Sequence, residues 1–392
     1  MGEASDIVLG LGNSLDYSIP WEPAAISALA AELGISEWPA VPARITGERE
    51  LVCAILAYSA AGVGTERSVA SVAPIEAVAA RLGFGESLGG TAVRAGRILE
   101  LLDLPCTIHL STLSPPVQAL LSPAARFLSG RASGPAYPHL IVQFTDDQPV
   151  VIGGRPRTPL RPNRLIFVHD PDNTELVLAP ELPSAVAAST IFLVSGLNAC
   201  LERPALDAQV QQLQKLIATM RPGSWAIYED SGFHEPTFSA VALAAMAAAC
   251  DVVGMNEDEF CGHVGAAVDL TDPAAVAAAG ATLARRWQIR NLVVHTAHWA
   301  AAFGLQADRL RPALTGGVRA GAARYLKGDL MTAADLDPGR GWQPHPVGQR
   351  VATGLAEFGV TAVPGLAVPA AAPVTVGLGD SFVGGFVAGL QR

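Results

Sequence analysis

Near its C-terminal end the chain reads Val374-Thr375-Val376-Gly377-Leu378-Gly379-Asp380-Ser381, followed by an apolar run to Leu390. A β-branched stretch, two glycines and an acid before such a run predict a strand, a tight turn and a helix. Glycines there let the backbone approach a ligand. The amides of Gly377, Leu378 and Gly379 would form an anion hole at the positive end of the helix dipole. An acid beside an anion site has a use if it takes a proton from an incoming hydroxyl. Asp380 is therefore the candidate catalytic base of a phosphoryl transfer. The same residues also read as a plain glycine turn with Asp380 capping the helix. Phe382 occupies the sixth place of a GxGxxG, so the dinucleotide fingerprint is missing. A nucleophilic Ser381 would need a downstream histidine, and the 11 residues after it contain none.

Two acidic clusters are the next candidates. Asp251–Gly254 predicts a buried strand that runs into Asn256-Glu257-Asp258-Glu259. Asn256 and Glu259 have the spacing of a capping box. They also sit where α/β sheets bind ligands, at the C-terminal edge of a strand, and carboxylates there can hold Mg2+ directly or through waters. Tyr228-Glu229-Asp230 ends another expected strand. Its two acids point to opposite faces if the strand continues, so Glu229 or Asp230 can face a metal site.

The elements that must position these groups follow from apolar spacing. Strands are expected at Ile7–Leu11, His139–Phe144, Arg164–His169, Glu175–Leu178, Ile191–Ser195, Trp225–Glu229 and Leu292–His295. Helices are expected at Trp21–Leu33, Glu48–Ala61, Leu88–Leu102, Ala208–Met220, Phe238–Ala249 and Ala274–Arg286. Strands alternating with helices predict an α/β fold whose mostly parallel sheet is covered on both faces. Residues 130–183 are richer in Pro, Arg and Asp and lack intervening helices, which suggests part of a smaller inserted lid. Pro364–Pro373 reads as a connecting loop.

Composition sets the bounds. With 392 residues, half of them hydrophobic and 16% charged, the chain can bury a large core, and its length suggests a large domain plus a smaller one. A net charge of −10 argues against nucleic acid as a partner. The longest apolar run, Ala240–Cys250, is far short of the roughly 20 residues of a membrane span, so no membrane partner is expected. No signal-peptide pattern opens the sequence. Five irregularly spaced cysteines without a CxxC pair fit a reducing cytoplasm. Only two lysines occur, Lys215 and Lys327, and neither follows a glycine-rich run, which removes the P-loop.

Taken in order, these segments resemble the ADP-dependent sugar kinases, the glucokinase/phosphofructokinase family of the ribokinase-like fold, over nearly the whole chain. Gly377-Leu378-Gly379-Asp380 looks like the family's GxGD and Asn256-Glu257-Asp258-Glu259 like its NxxE, which organises magnesium. Leu88-Gly89-Gly90-Thr91 looks like the double-glycine segment beneath the sugar, and Asp16 sits where a sugar-binding aspartate is expected. Pro162-Asn163-Arg164-Leu165-Ile166, Ser195-Gly196-Leu197 and Val294-His295-Thr296 match further blocks. The resemblance implies a three-layer sandwich, with 1–17, 86–134 and 183–392 as the nucleotide-binding domain and 18–85 and 135–182 as the lid. It implies ADP as donor, Mg2+ as cofactor and a sugar such as glucose or fructose 6-phosphate as acceptor. Asp16, Gly89, Gly90 and Thr91 would bind the acceptor, and Asn256, Glu259, Glu229 and Asp230 would place the metal.

Three departures stand out. Tyr228-Glu229-Asp230 replaces the family's HxE, Gly12 stands where asparagine is usual, and Thr91 replaces a frequent glutamine. Gly64-Thr65-Glu66-Arg67 lies near where the family separates glucose from fructose 6-phosphate. The alternatives are an ATP-dependent kinase of the same fold and a non-catalytic sugar- or nucleotide-binding regulator. His109, His139, His234, His263 and His345 have no partner at ligand spacing and read as surface or core residues. His169-Asp170 is a candidate for the lid's sugar face.

Overall fold

In the computed structural model, residues 6–233, 235–370 and 374–391 are described. His234 and part of the 364–373 connector lie outside them. Nine strands form the main sheet, in the order Thr361–Pro364, Trp299–Gly304, Asn291–His295, Val252–Asn256, Trp225–Glu229, Ile191–Val194, Ile7–Leu9, Thr107–His109 and Arg126–Leu128. Trp299–Gly304 is its antiparallel member; the other recorded pairings are parallel. Along Ile191–Val194, Phe192 and Val194 enter one core while Ile191 and Leu193 enter the other. Strands buried on both faces have continuous apolar runs, and such a sheet needs helices on each side. Arg203–Ile217, Pro236–Ala249, Pro273–Arg286 and Pro346–Glu357 cover one face, and Thr91–Leu101, Arg311–Lys327 and Leu378–Leu390 the other. The result is the expected three-layer sandwich.

A second sheet of five strands runs in the order Thr65–Ser68, Asn163–Val168, Pro138–Phe144, Ser14–Ile19 and Gly85–Gly89. Leu140, Val142, Phe144, Leu165 and Phe167 pack on the helices Pro23–Glu32, Glu48–Ala60 and Ala73–Leu82. Their alternate neighbours His139, Ile141, Arg164, Ile166 and Val168 face a cavity instead. Period-two alternation thus gives this sheet one apolar face and one cavity-facing side.

Four local expectations need correction. Leu88 and Gly89 do not open a helix. They end a strand laddered to Ser14–Ile19, and the helix begins at Thr91 after Gly90 turns the chain at φ 95°. Residues 374–376 form no strand: Val374 N–H bonds Tyr325 O, so this stretch is held by a helix end rather than a sheet. Glu175–Leu178 is irregular. Several helices start earlier than their apolar spacing suggested, because Pro204, Pro236 and Pro273 lie in their first turns, where a missing N–H costs nothing.

Candidate active site

The helix Leu378–Leu390 begins after Gly377, which adopts a left-handed conformation at φ 74°. Its first-turn amides lack intrahelical acceptors and point out at the dipole's positive end. Helix packing fixes this end: a Cβ on Gly385 would lie 2.2 Å from Gly316 O of the helix Arg311–Lys327. Thr91 Oγ1, from the first turn of the helix Thr91–Leu101, donates to Asp380 Oδ1 at 2.8 Å. Arg94, one helical turn further, sets Nε 3.5 Å from Asp380 Oδ2. Asp380 keeps 26% of its side chain exposed.

Asp16 lies across from this helix start. Ser14 Oγ donates to its Oδ1 at 2.6 Å, and Arg94 Nη2 donates to its Oδ2 at 3.3 Å. Gly89 and Gly90 are required by closeness: a Cβ on Gly89 would lie 2.4 Å from Asp16 Oδ2, and one on Gly90 3.0 Å from Asn13 Cα. The structure therefore brings Asp16, Gly89, Gly90, Thr91, Gly377 and Asp380 together around a cavity of about 520 Å³, with Glu66, Arg164, His139, His169 and Asp170 facing them. His139 is not solitary: its Nε2 lies 2.9 Å from Asp170 Oδ2. Its protonation is opposed by burial but favoured by Asp170, Asp16 and Glu66, and the net shift is upward. His169 Nδ1 lies 3.2 Å from Val69 O.

A larger cavity of about 1470 Å³ is lined by Asn256, Asp258, Glu259 and His263, and it shares Asp380, Glu66 and Arg164 with the first. Asp380 stands where the two meet. Asn256 and Glu259 form the expected capping box: Asn256 Oδ1 accepts from the amides of Asp258 and Glu259, and Glu259 Oε2 accepts from Asn256 N–H. Burial pushes the Glu259 carboxyl up to about 9, against the Asn256 N–H, with Glu229 and Asp230 adding to it.

Glu229 and Asp230 diverge, as adjacent residues leaving a strand should. Glu229 Oε1 lies 2.8 Å from His295 Nε2. Burial raises its carboxyl; His295 opposes the rise, and the charges of Asp230 and Asp380 add to it. Asp230 turns away: Oδ1 accepts from Tyr228 O–H at 2.8 Å and Oδ2 lies 2.6 Å from His263 Nε2, so both oxygens are taken by protein groups. Glu229, not Asp230, is therefore the acid joined through His295, which stacks on Phe382, to the helix that bears Asp380. Among the described residues no three His, Cys, Asp or Glu side chains form a metal-binding group. Sequence reasoning missed Arg94, His263 and the part played by His295. A charged residue on an otherwise apolar helix face was the signal for Arg94; His263 had none, its partner lying 33 residues away, and the Val294-His295-Thr296 block marked His295 without indicating its partner 66 residues away.

No helix among the described residues is long and apolar enough to cross a membrane. A model of the ADP-specific phosphofructokinase/glucokinase conserved region matches residues 5–321. No curated protein matches. Among solved structures, the chain is similar to a phosphofructokinase from Pyrococcus horikoshii OT3 with AMP, with TM-score 0.77 and 15% identity over 99% of this chain and 98% of that one. It is also similar to a last common ancestor of ADP-dependent phosphofructokinases from Methanosarcinales, with TM-score 0.73 and 15% identity over 99% and 94%. An ADP-dependent kinase in complex with fructose-6-phosphate and ADPbetaS gives TM-score 0.68 and 14% identity over 99% and 94%.

Proposed function

The chain belongs to the ADP-specific phosphofructokinase/glucokinase family, and on that premise we propose that it transfers the terminal phosphoryl group of ADP, with Mg2+, to a hydroxyl of a sugar or sugar phosphate such as glucose or fructose 6-phosphate. Membership makes it a sugar kinase, a phosphotransferase with an alcohol group as acceptor. The observation that carries the reading is the position of Asp380, at the meeting of two cavities and in the first turn of a helix whose amides face outward.

In this reading the acceptor occupies the smaller cavity against Asp16, Gly89, Gly90 and Thr91. Asp380 takes the proton from its hydroxyl, and the Thr91 hydroxyl steadies the carboxylate for that task. The amides after Gly377 meet the charge spread over the transferring group, since such catalysis is mostly positioning and electrostatics. In ADP the terminal phosphate is the β-phosphate, so adenosine sits one phosphate closer to the anion hole than in an ATP enzyme. A pocket set for that distance puts ATP's extra phosphoryl group into the acceptor's space. The small sheet and its helices, largely 18–85 and 135–182, act as a lid over residues 1–17, 86–134 and 183–392 and exclude water, the competing acceptor.

The acids suit a hydrated cation better than a protein cage. Glu229 and Glu259 each commit one oxygen to a protein group, leaving the other for a metal-bound water, and magnesium keeps several of its waters. Burial raises both carboxyls, and neighbouring acids add to the rise; a cation nearby would favour their ionised forms. Mg2+ bound with the diphosphate supplies neutralisation of its charge. Asn256 orients Glu259 through the capping box.

The test is initial rate with ADP or ATP, Mg2+ and a sugar panel, on the native protein and on Asp380→Asn. The expectation is faster turnover with ADP and a loss of about 10²–10⁴-fold in the variant. Faster turnover with ATP refutes the donor assignment, and near-normal turnover of Asp380→Asn removes it as the base.

A further inference from the structure

Arg94 is a long cation in a place built for small apolar residues. Its neighbours on the buried side of the helix Thr91–Leu101 are Ala92, Ala95, Ile98 and Leu99, and its own side chain is 9% exposed. A charge buried there is costly unless paired. Its guanidinium meets three carboxylates from distant parts of the chain. Nη2 donates to Asp16 Oδ2 at 3.3 Å, Nε lies 3.5 Å from Asp380 Oδ2, and Nη1 lies 3.8 Å from Asp329 Oδ1. Asp329 also pairs with Arg324, whose Nε donates to Val376 O at 2.9 Å, in the turn just before the anion hole. The shaft of Arg94 passes under that turn so closely that a Cβ on Gly377 would lie 2.7 Å from its Cδ.

Given the reading of Asp380 and Asp16 above, on which this step rests, we propose that Arg94 is a positioning residue that holds the catalytic base and the acceptor-binding carboxylate at a fixed separation. Two carboxylates on one cavity repel, and without a cation between them one would swing out or take up a proton. A planar fork can hold two carboxylates in one orientation, which a lysine ammonium cannot. Because Asp16 and Asp380 occupy its nitrogens, Arg94 sets where the acceptor hydroxyl meets the base rather than binding the donor's phosphates.

The experiment compares Arg94→Ala, Arg94→Lys and Asp380→Asn in kcat, in KM for ADP and in KM for the acceptor, with and without added guanidinium chloride at a concentration that leaves the native enzyme folded. Arg94→Ala should lower kcat by about 10²-fold, the effect of a misplacement near 1 Å, with KM for ADP little changed. Guanidinium should restore part of that loss and none of the loss in Asp380→Asn, and Arg94→Lys should fall between the alanine variant and the native enzyme. A native kcat with a raised KM for ADP would overturn the proposal in favour of a phosphate ligand. If the alanine variant does not fold, Arg94→Lys decides alone: native kcat in that folded variant overturns the proposal. An active Asp380→Asn would instead refute the reading of the site itself, whatever Arg94 does.

Discussion

His295 Nε2 lies 2.8 Å from Glu229 Oε1, and the same imidazole stacks on Phe382 with ring centroids 4.5 Å apart. One histidine thus joins the acid expected to place the cation to the helix that carries Asp380. The juxtaposition follows from sheet order, because Trp225–Glu229 and Asn291–His295 flank Val252–Asn256 and all three end at the same edge. A Cβ on Gly254, in the strand between them, would lie 2.0 Å from Glu229 Oε2, so only glycine leaves room for this carboxylate.

Glu229→Gln should therefore act on the cation more than on the fold. Losing a carboxylate that orients a metal's surroundings typically costs 10–100-fold in metal affinity. The Mg2+ concentration for half-maximal rate should rise by roughly that factor. Since burial already disfavours the ionised form, the melting temperature should hold or increase. A Mg2+ titration of the rate beside a melting curve checks both; an unchanged Mg2+ requirement removes Glu229 from the metal's surroundings.

Asp16→Ala should weaken acceptor binding and spare the nucleotide. The carboxylate is buried at the cavity floor, and charge-assisted hydrogen bonds to sugar hydroxyls are worth roughly 1.5–3 kcal/mol each. Sugar and ADP titrations by calorimetry decide. Equal loss for both ligands would mean that removing the Arg94 partner disturbed the whole site.

His139 makes stability depend on pH in a predictable direction. Its folded pKa is raised above 6.5, burial being outweighed by Asp170, Asp16 and Glu66. The pairing therefore contributes fully below pH 6.5 and is lost as pH rises through the folded value. Removing one partner of a buried ion pair costs about 3–5 kcal/mol. His139→Asn should be well below the native protein in melting temperature at pH 6, and the gap should narrow toward pH 9. A gap that is constant with pH would show that the loss is packing alone.

Gly385→Ala tests positioning at a distance. The added methyl meets Gly316 O at 2.2 Å, and backbone cannot move aside as a flexible side chain can, so the helix bearing Asp380 must shift. A displacement near 1 Å can cost 10²-fold in rate. The expected outcome is a kcat loss of that order with the acceptor KM less affected. Native kcat in the folded variant would show that the two helices part without moving the anion hole.

What the sequence determined by itself is local. The glycine turn before Asp380 and the Asn256–Glu259 capping box each depend on a few consecutive residues, and continuous apolar runs marked the central strands because a parallel sheet buries both faces. The same reasoning failed where a neighbour from elsewhere supplied the bonds. Leu88 and Gly89 became a strand because Ser14–Ile19 offered a ladder, and 374–376 stayed irregular because Tyr325 and Arg324 took their polar groups. Only the tertiary structure decided that Glu229 pairs with His295 while Asp230 is taken by Tyr228 and His263, since that depends on where the two histidines lie. It also decided that Arg94 spans Asp16 and Asp380. Residue spacing encodes periodicity along one element; pairings between side chains dozens to hundreds of residues apart are set by how strands order and helices pack.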